Sequence, residues 1–268
     1  MIVDAHHHLW RFNKTDYGWM DDSMEVLKQD YLPSDLEKEI WNAGVSGTVV
    51  VQARQVLDET RWLLKLAEQN HFIKGVVGWV DLQSSRLDRQ LEEFAGHPKL
   101  VGVRHVIHDE PDDDFMLSDA FIKGMEKLQG YGLTYDLLLF PKHLGRAAQL
   151  VRMFPGQRFV LDHISKPFIR SGIIQPWKDD IEALAVHPNV WCKISGMVTE
   201  ASIDLWKDED FVPYMKAIVD AFGTGRIMLG SDWPVWLVCP TSSRSWVSSR
   251  FPNTSKNRGA TPMYSGRK

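Results

Sequence analysis

The chain has 268 residues, of which 44% are hydrophobic and 25% charged, with a net charge of −4. That length is long for one ordinary domain but suits a single closed β/α barrel, typically ~250 residues. The mildly acidic balance gives no support to nucleic-acid binding, which calls for a basic stripe. No apolar run approaches the ~20 residues of a membrane span. The N-terminus shows neither a basic region nor an apolar core of a secretory signal. The two cysteines, Cys192 and Cys239, make no disulfide framework and fit a reducing, cytoplasmic setting.

Eight β-type runs follow one another along the chain, at Ile2–His6, Gly47–Ala53, Lys74–Val80, Leu100–Val106, Leu133–Leu139, Arg158–His163, Val190–Ser195 and Arg226–Gly230. They are nearly continuous in Val, Ile and Leu, as parallel strands buried on both faces require. Amphipathic stretches separate them. Thr60–Asn70 carries Trp62, Leu63, Leu66 and Ala67 at helical spacing, and Arg86–Ala95 carries Leu87, Leu91 and Phe94. Ser84 and Ser118 stand where N-caps belong, and Gly96 and Gly130 where helices stop. The alternation predicts an α/β fold, a (β/α)8 barrel, with a doubly wound open sheet as the alternative. Leu9–Ser34 is a long connection bearing Trp10, Tyr17, Trp19 and Met20. Over a barrel mouth it forms a lid or pocket wall, or simply a cover. The eleven tryptophans serve either the core or a sugar-like pocket, Trp10, Trp19, Trp79 and Trp233 being nearest the strand ends.

Chemistry-bearing residues cluster at strand ends. In Asp4-Ala5-His6-His7-His8, alternation puts His6 and His8 on one side and His7 on the other. Two imidazoles so placed share a metal ion or bracket a polar substrate. Phe159–His163 runs into Lys166-Pro167, setting an imidazole and an ammonium at the mouth; alone, His163 reads equally well as a core histidine. The last strand ends in Gly230-Ser231-Asp232-Trp233-Pro234. There Asp232 either caps a helix or, with the histidines, acts as a general base.

These blocks resemble the amidohydrolase superfamily and, more narrowly, its lactonase branch, which includes L-fuconolactonases and 2-pyrone-4,6-dicarboxylate lactonase. The narrower resemblance is carried by Asp4–Trp10, Val51-Gln52-Ala53-Arg54, Val77–Asp81, Val101–His105, Leu161–Pro167, Cys192–Gly196 and Gly230–Pro234, in order from Met1 to about Val235. It implies a cytoplasmic hydrolase that opens a small lactone, as monomer or homodimer, with no nucleic-acid or membrane partner. Asp232 would activate water, with His6, His8 and His163 at the reacting centre. Gln52, Arg54, Asp81, Arg104, His105, Lys166 and Trp233 would bind substrate, although Arg54 and Asp81 also read as a rim ion pair. Lys193 and Ser195 share one face of the seventh strand and rank below these. Strand four offers Arg104-His105 rather than a bridging lysine, and strand five supplies no histidine, so a binuclear centre lacks ligands. A single divalent metal, zinc or manganese, on His6, His8, His163 and Asp232 is compatible with the resemblance, as is metal-free catalysis. Two other readings stay open: a metal-dependent decarboxylase of the same superfamily, and a catalytically impaired homologue.

The second reading of impairment comes from the chain's end. Residues 1–235 form the expected barrel, and 236–268 an atypical tail. Pro240–Lys268 is rich in Ser, Arg, Asn and Thr without helical period, where the resemblance implies an eighth helix and a Gly-Gly-Asn-Ala turn. Codons permitted for Arg258–Ser265 encode such a turn when read two bases later. A divergent tail and a frameshift between Val235 and Thr241 both explain this, and the latter predicts an abnormal final βα unit with apolar surface exposed beside strand eight.

Overall fold

In the computed structural model, which describes residues 1–202 and 205–239, eight parallel strands run in chain order around one sheet. They are β1 (Val3–His7), β2 (Gly47–Val51), β3 (Ile73–Gly78), β4 (Leu100–His105), β5 (Thr134–Leu137), β6 (Phe159–Leu161), β7 (Val190–Ile194) and β8 (Ile227–Leu229). The eighth strand returns to the first through the segment that follows it. Asp232 N–H donates to His6 O at 2.8 Å and His8 N–H donates to Trp233 O at 2.7 Å. The predicted closed barrel is therefore present, with its seam zipped at the mouth.

Seven helices lie outside among the described residues: α1 (Pro33–Asn42), α2 (Leu57–Gln69), α3 (Leu87–Phe94), α4 (Asp119–Gln129), α5 (Leu144–Met153), α6 (Trp177–Ala185) and α7 (Asp208–Phe222). None is long and apolar enough to cross a membrane. Their apolar stripes supply Leu63, Leu91 and Phe121 to a core shared with Val50, Val76, Val103 and Tyr135 of the strands. A smaller apolar cluster, Val49, Val51 and Val77, packs with Val3 and Val101. Ser118 caps α4, its side chain accepting from Phe121 N–H. At α3 Arg86 takes the cap position, and Ser84 Oγ instead accepts from Arg86 N–H one turn earlier. The predicted tail, 240–268, lies outside the described residues.

The long connection after β1 is held by its aromatic residues. Trp10 and Tyr31 form a β-bridge, and Trp10 Nε1–H donates to Gln29 O at 2.9 Å. Trp10 is fully buried against Tyr17, Trp19 and Tyr31. This packing turns the connection between β1 and α1 into a fixed wall over one side of the mouth.

Candidate active site

A cavity of about 420 Å³ opens at the mouth end of the strands, within the range of small-molecule clefts. Apolar Trp10, Trp19, Met24, Val235 and Val238 line it together with polar Arg104, His108, Lys166, Thr199 and Glu200, and His8, His163 and Asp232 complete the wall.

The first strand delivers two histidines by simple alternation. His6 and His8 turn their Nε2 atoms toward each other at 3.2 Å, whereas His7 faces Thr48 Oγ1 at 3.0 Å. His8 Nδ1 lies 2.8 Å from Val51 O. A carbonyl only accepts, so this nitrogen carries a proton. Asp232 Oδ1 stands 3.5 Å from His8 Nε2, 3.9 Å from His6 Nε2 and 4.0 Å from His163 Nε2. The four residues that the sequence singled out thus converge.

Two unusual backbone segments produce that convergence. After β6, the four residues His163, Ile164, Ser165 and Lys166 all have positive φ, between 47° and 60°. Non-glycine residues enter this region at an energetic cost, usually where the surroundings enforce it for function. Here the turn is held by Trp177 Nε1–H on Ile164 O at 2.8 Å and by Ser195 Oγ, 2.9 Å from His163 Nδ1. It brings His163 and Lys166 to the same cavity. Gly196, at φ +61°, leaves the space: a Cβ there would sit 2.5 Å from His163 Nδ1. Asp232 is the other non-glycine residue with positive φ among the described residues, at 60°. Its neighbour Ser231 is anchored by Asp4, whose carboxylate accepts from Ser231 N–H at 2.9 Å and Ser231 Oγ–H at 2.5 Å. Burial pushes the Asp4 carboxyl up to about 6.

Protonation states follow from these surroundings. Burial raises the Asp232 carboxyl, but His163 and His8 more than reverse this, so it lies below the usual aspartate value and is ionised at neutral pH. Burial drives His6 and His163 well below the usual histidine value, so both rings are neutral. Neutral imidazoles and an ionised carboxylate are the forms that bind a metal. The spacing fits as well. Donor atoms around a tetrahedral zinc, bonded at 2.0–2.1 Å, lie roughly 3.3 Å apart, close to the 3.2 and 3.5 Å that separate His8 Nε2 from its two neighbours. His6, His8 and Asp232 can therefore hold one divalent ion.

The expected substrate shell is only partly assembled. Arg104 and Lys166 line the cavity, the latter paired with Glu200 at 2.9 Å. Gln52 is fully buried behind Arg104, whose Nη2 donates to Gln52 O at 2.5 Å and Oε1 at 3.0 Å. His105 follows Arg104 on the strand and so points outward; it stacks on Phe115 and pairs with Glu110 at 2.6 Å. Arg54 pairs with Asp16 of the long connection at 3.0 Å, not with Asp81. Asp81 closes a turn by accepting from Gln83 N–H. Trp233 packs edge-on against Tyr31, and Trp79 donates to His105 Nδ1. None of these last five lines the cavity.

Sequence reading singled out Arg104 and Lys193 but not the charged layer that they form with Asp136 and Asp162 beneath the site. Lys193 Nζ lies 2.5 Å from Asp136 Oδ2 and 2.9 Å from Asp162 Oδ1, and Arg104 Nη1 lies 2.9 Å from Asp162 Oδ2. All four are buried. Asp136 and Lys193 each interrupt an otherwise apolar strand, in Tyr135-Asp136-Leu137 and Cys192-Lys193-Ile194. Opposite charges so placed must pair inside, because an isolated buried charge is far too costly. That signal was available.

Three proteins are similar over most of their length. An L-fucono-1,5-lactonase of Burkholderia ambifaria is 38% identical over 235 residues, covering 87% of this chain and 80% of that protein. Another from Burkholderia multivorans is 37% identical, with 93% and 89% covered. The crystal structure of a Burkholderia multivorans amidohydrolase with bound zinc superposes with a TM-score of 0.88 at 34% identity, covering 96% of this chain and 93% of that one. The amidohydrolase family profile matches residues 3–252, and the chain belongs to that family.

Proposed function

We propose that the protein is a lactonase that opens a small sugar lactone of the L-fucono-1,5-lactone type. The observation that carries this reading is the ionised Asp232 carboxylate beside three imidazoles in a cavity lined by both apolar and polar side chains. Lactone opening is an acyl transfer to water. It needs a base for the water, a fixed positive environment for the oxyanion, and a proton for the departing ring oxygen.

Asp232 takes a proton from water as the oxygen adds to the lactone carbonyl. Lys166 and the neutral His163 ring face the region where the carbonyl oxygen gains charge. The carbon–oxygen bond of the ring then breaks, and the proton held by Asp232 passes to the departing alkoxide. The product is an open hydroxy acid, with all atoms of water and lactone retained. Arg104 is committed to Asp162 and Gln52, so it shapes the wall and supplies a fixed positive field. When bound by His6, His8 and Asp232, a divalent ion supplies Lewis-acid polarisation and a more acidic water. Relatives at 37–38% identity support the lactone class, and no observation favours the decarboxylase alternative. Both cysteines are buried, and a cytoplasmic location is part of this reading.

The test is hydrolysis of L-fucono-1,5-lactone and its stereoisomers by the purified full chain, followed by acid release, with and without a chelator. Turnover of at least one sugar lactone well above the uncatalysed rate is expected. No acceleration of any lactone, with zinc supplied, would remove the proposal.

A further inference from the structure

The cations that reach the cavity are already engaged. Among the described residues these are Arg104 and Lys166. Arg104 Nη1 donates to Asp162 Oδ2 at 2.9 Å and lies 3.4 Å from His6 Nε2, while Nη2 serves Gln52 O and Oε1 at 2.5 and 3.0 Å. Its Nε has no partner but is buried below the surface, out of a ligand's reach. Lys166 Nζ donates to Glu200 Oε1 at 2.9 Å, the two side chains being 19% and 23% exposed. Glu200, Asp109 and Asp232 line the same cavity. Three carboxylates therefore face two cations, one of which Asp162 has neutralised from behind. His108 adds no charge at neutral pH, because burial and then the Lys166 and Arg104 charges lower its ring to about 3.

A substrate carboxylate entering this cavity loses water and meets no cation without a counter-ion. Repulsion from Glu200 and Asp109 adds to that cost. An uncharged substrate meets neither penalty. Lys166 has two further N–H donors for a carbonyl or hydroxyl oxygen. The side-chain contacts of Glu200 fall on Oε1, which receives Lys166 and lies 3.4 Å from Thr199 Oγ1, itself donating to Gly196 O at 2.8 Å. Oε2 is left to accept from a substrate hydroxyl.

We propose that Glu200 is a specificity-determining residue: by cancelling the Lys166 charge it fits the cavity to uncharged polyhydroxy lactones and turns away lactones that carry a carboxylate. Discrimination of this kind comes from the repulsive element as much as from the attractive one. The word lactone rests on the function proposed above; the rejection of carboxylates rests on the paired charges alone. A divalent ion on His6, His8 and Asp232 would add charge at the reacting end and leave the Lys166–Glu200 pair in place, so the selection acts on the substituents of the ring.

Two lactones that differ at one carbon test this on the full-length protein: L-galactono-1,5-lactone ends in CH2OH and L-galactaro-1,5-lactone in a carboxylate. In wild type, kcat/KM should favour the uncharged lactone roughly 10–100-fold, the worth of one charge-assisted hydrogen bond withheld. Glu200→Gln keeps an acceptor for Lys166 and removes the counter-charge, so it should shift that ratio toward the charged lactone about tenfold. A second measurement needs no turnover. In calorimetry with chelator present, galactarate should bind Glu200→Gln about tenfold more tightly than wild type, and adding Lys166→Met should abolish the gain. That gain in a protein that hydrolyses no lactone would remove the lactone reading and keep the charge selection. Equal rates on the two lactones in wild type, or no gain in galactarate binding by Glu200→Gln with a native circular dichroism spectrum, would overturn the inference. If the variant does not fold, wild type decides: galactarate bound more tightly than uncharged galactitol would also overturn it.

Discussion

The last strand meets opposite conditions at its mouth and along its outer flank. At its mouth end, β8 runs into a segment gripped from several sides. Ser231 hangs on Asp4, Asp232 N–H donates to His6 O, and Gly230 passes so close to β1 that an added Cβ would lie 2.6 Å from His6 Cβ. On its flank, Leu229 is 41% exposed, and Val219 and Val212 of the adjoining α7 are 41% and 56% exposed. Strand residues such as Val50, Val76 and Val160 elsewhere in the barrel are fully buried. Among the described residues, the site is built by the seam between the first and last strands, and β8's outer flank is less covered than the other strands. Chemistry and packing are separable along a single strand.

The largest expected effect tests the mouth end. Asp232→Asn keeps size and hydrogen-bonding shape but removes the base. Lactone kcat/KM should fall by roughly 10²–10⁴-fold, the range for loss of general-base catalysis, with the melting temperature little changed. Activity within tenfold of wild type would mean that the gripped segment is structural only. Next comes Gly230→Ala, which forces a methyl group onto His6 and, at 3.2 Å, onto Ser195 Cβ. Overpacking of this kind costs roughly 1–3 kcal/mol. Urea unfolding should register that loss, and turnover should fall with it because His6 is displaced.

The comparison also explains what could be read in the residues beforehand. His6, His8, His163 and Asp232 were legible because each ends an apolar run, and a parallel barrel sends all such ends to one face. Alternation alone excludes His105 once Arg104 faces inward; both had been expected at the substrate. The left-handed turn at His163–Lys166 was not legible, since nothing in His-Ile-Ser-Lys announces positive φ without glycine. Its cause is tertiary: the Trp177 and Ser195 contacts that pin it come from α6 and from the end of β7. Arg54 and Asp81 were placed together by their positions at strand ends, yet Arg54 found Asp16 in the long connection, a partner that only the loop's path could reveal. That path depends on Trp10, whose bond to Gln29 O no local pattern encodes.

A smaller effect probes how the mouth is held. Glu59, at the start of α2, accepts from the Ala53 and Arg54 N–H groups at 3.0 and 2.8 Å and so fixes the end of β2. Burial, partly offset by those bonds, pushes its carboxyl up to about 7 from an ordinary 4.5. The folded state therefore holds this proton more tightly than the unfolded chain. Its contribution to stability is greatest below pH 4.5 and is lost as pH rises toward 7. Glu59→Gln keeps an acceptor for the N–H groups and removes the titration. Between pH 4.5 and 7.5 the wild type should lose up to about 3 kcal/mol relative to the variant, one pH unit being worth at most about 1.4 kcal/mol. Parallel urea curves for the two proteins would show that the mouth is not held by this buried carboxyl.

The smallest expected effect falls on the flank, and there the contrast is most easily broken. Leu229 lies one residue before Gly230, yet its side chain is 41% exposed. Leu229→Lys places an ammonium on a flank that the described residues leave partly open and lets the aliphatic stem keep its apolar contacts. Stability should change by no more than about 0.5 kcal/mol, as at ordinary surface positions, and lactone turnover should be unaffected. A loss above about 2 kcal/mol would mean that this flank is covered in solution, since only a desolvated lysine costs that much. The strand would then be packed along its whole length, and the separation between its mouth and its flank would collapse. A neutral result alongside a damaging Gly230→Ala would instead localise the strand's structural demands to a single residue step, at the point where it meets His6.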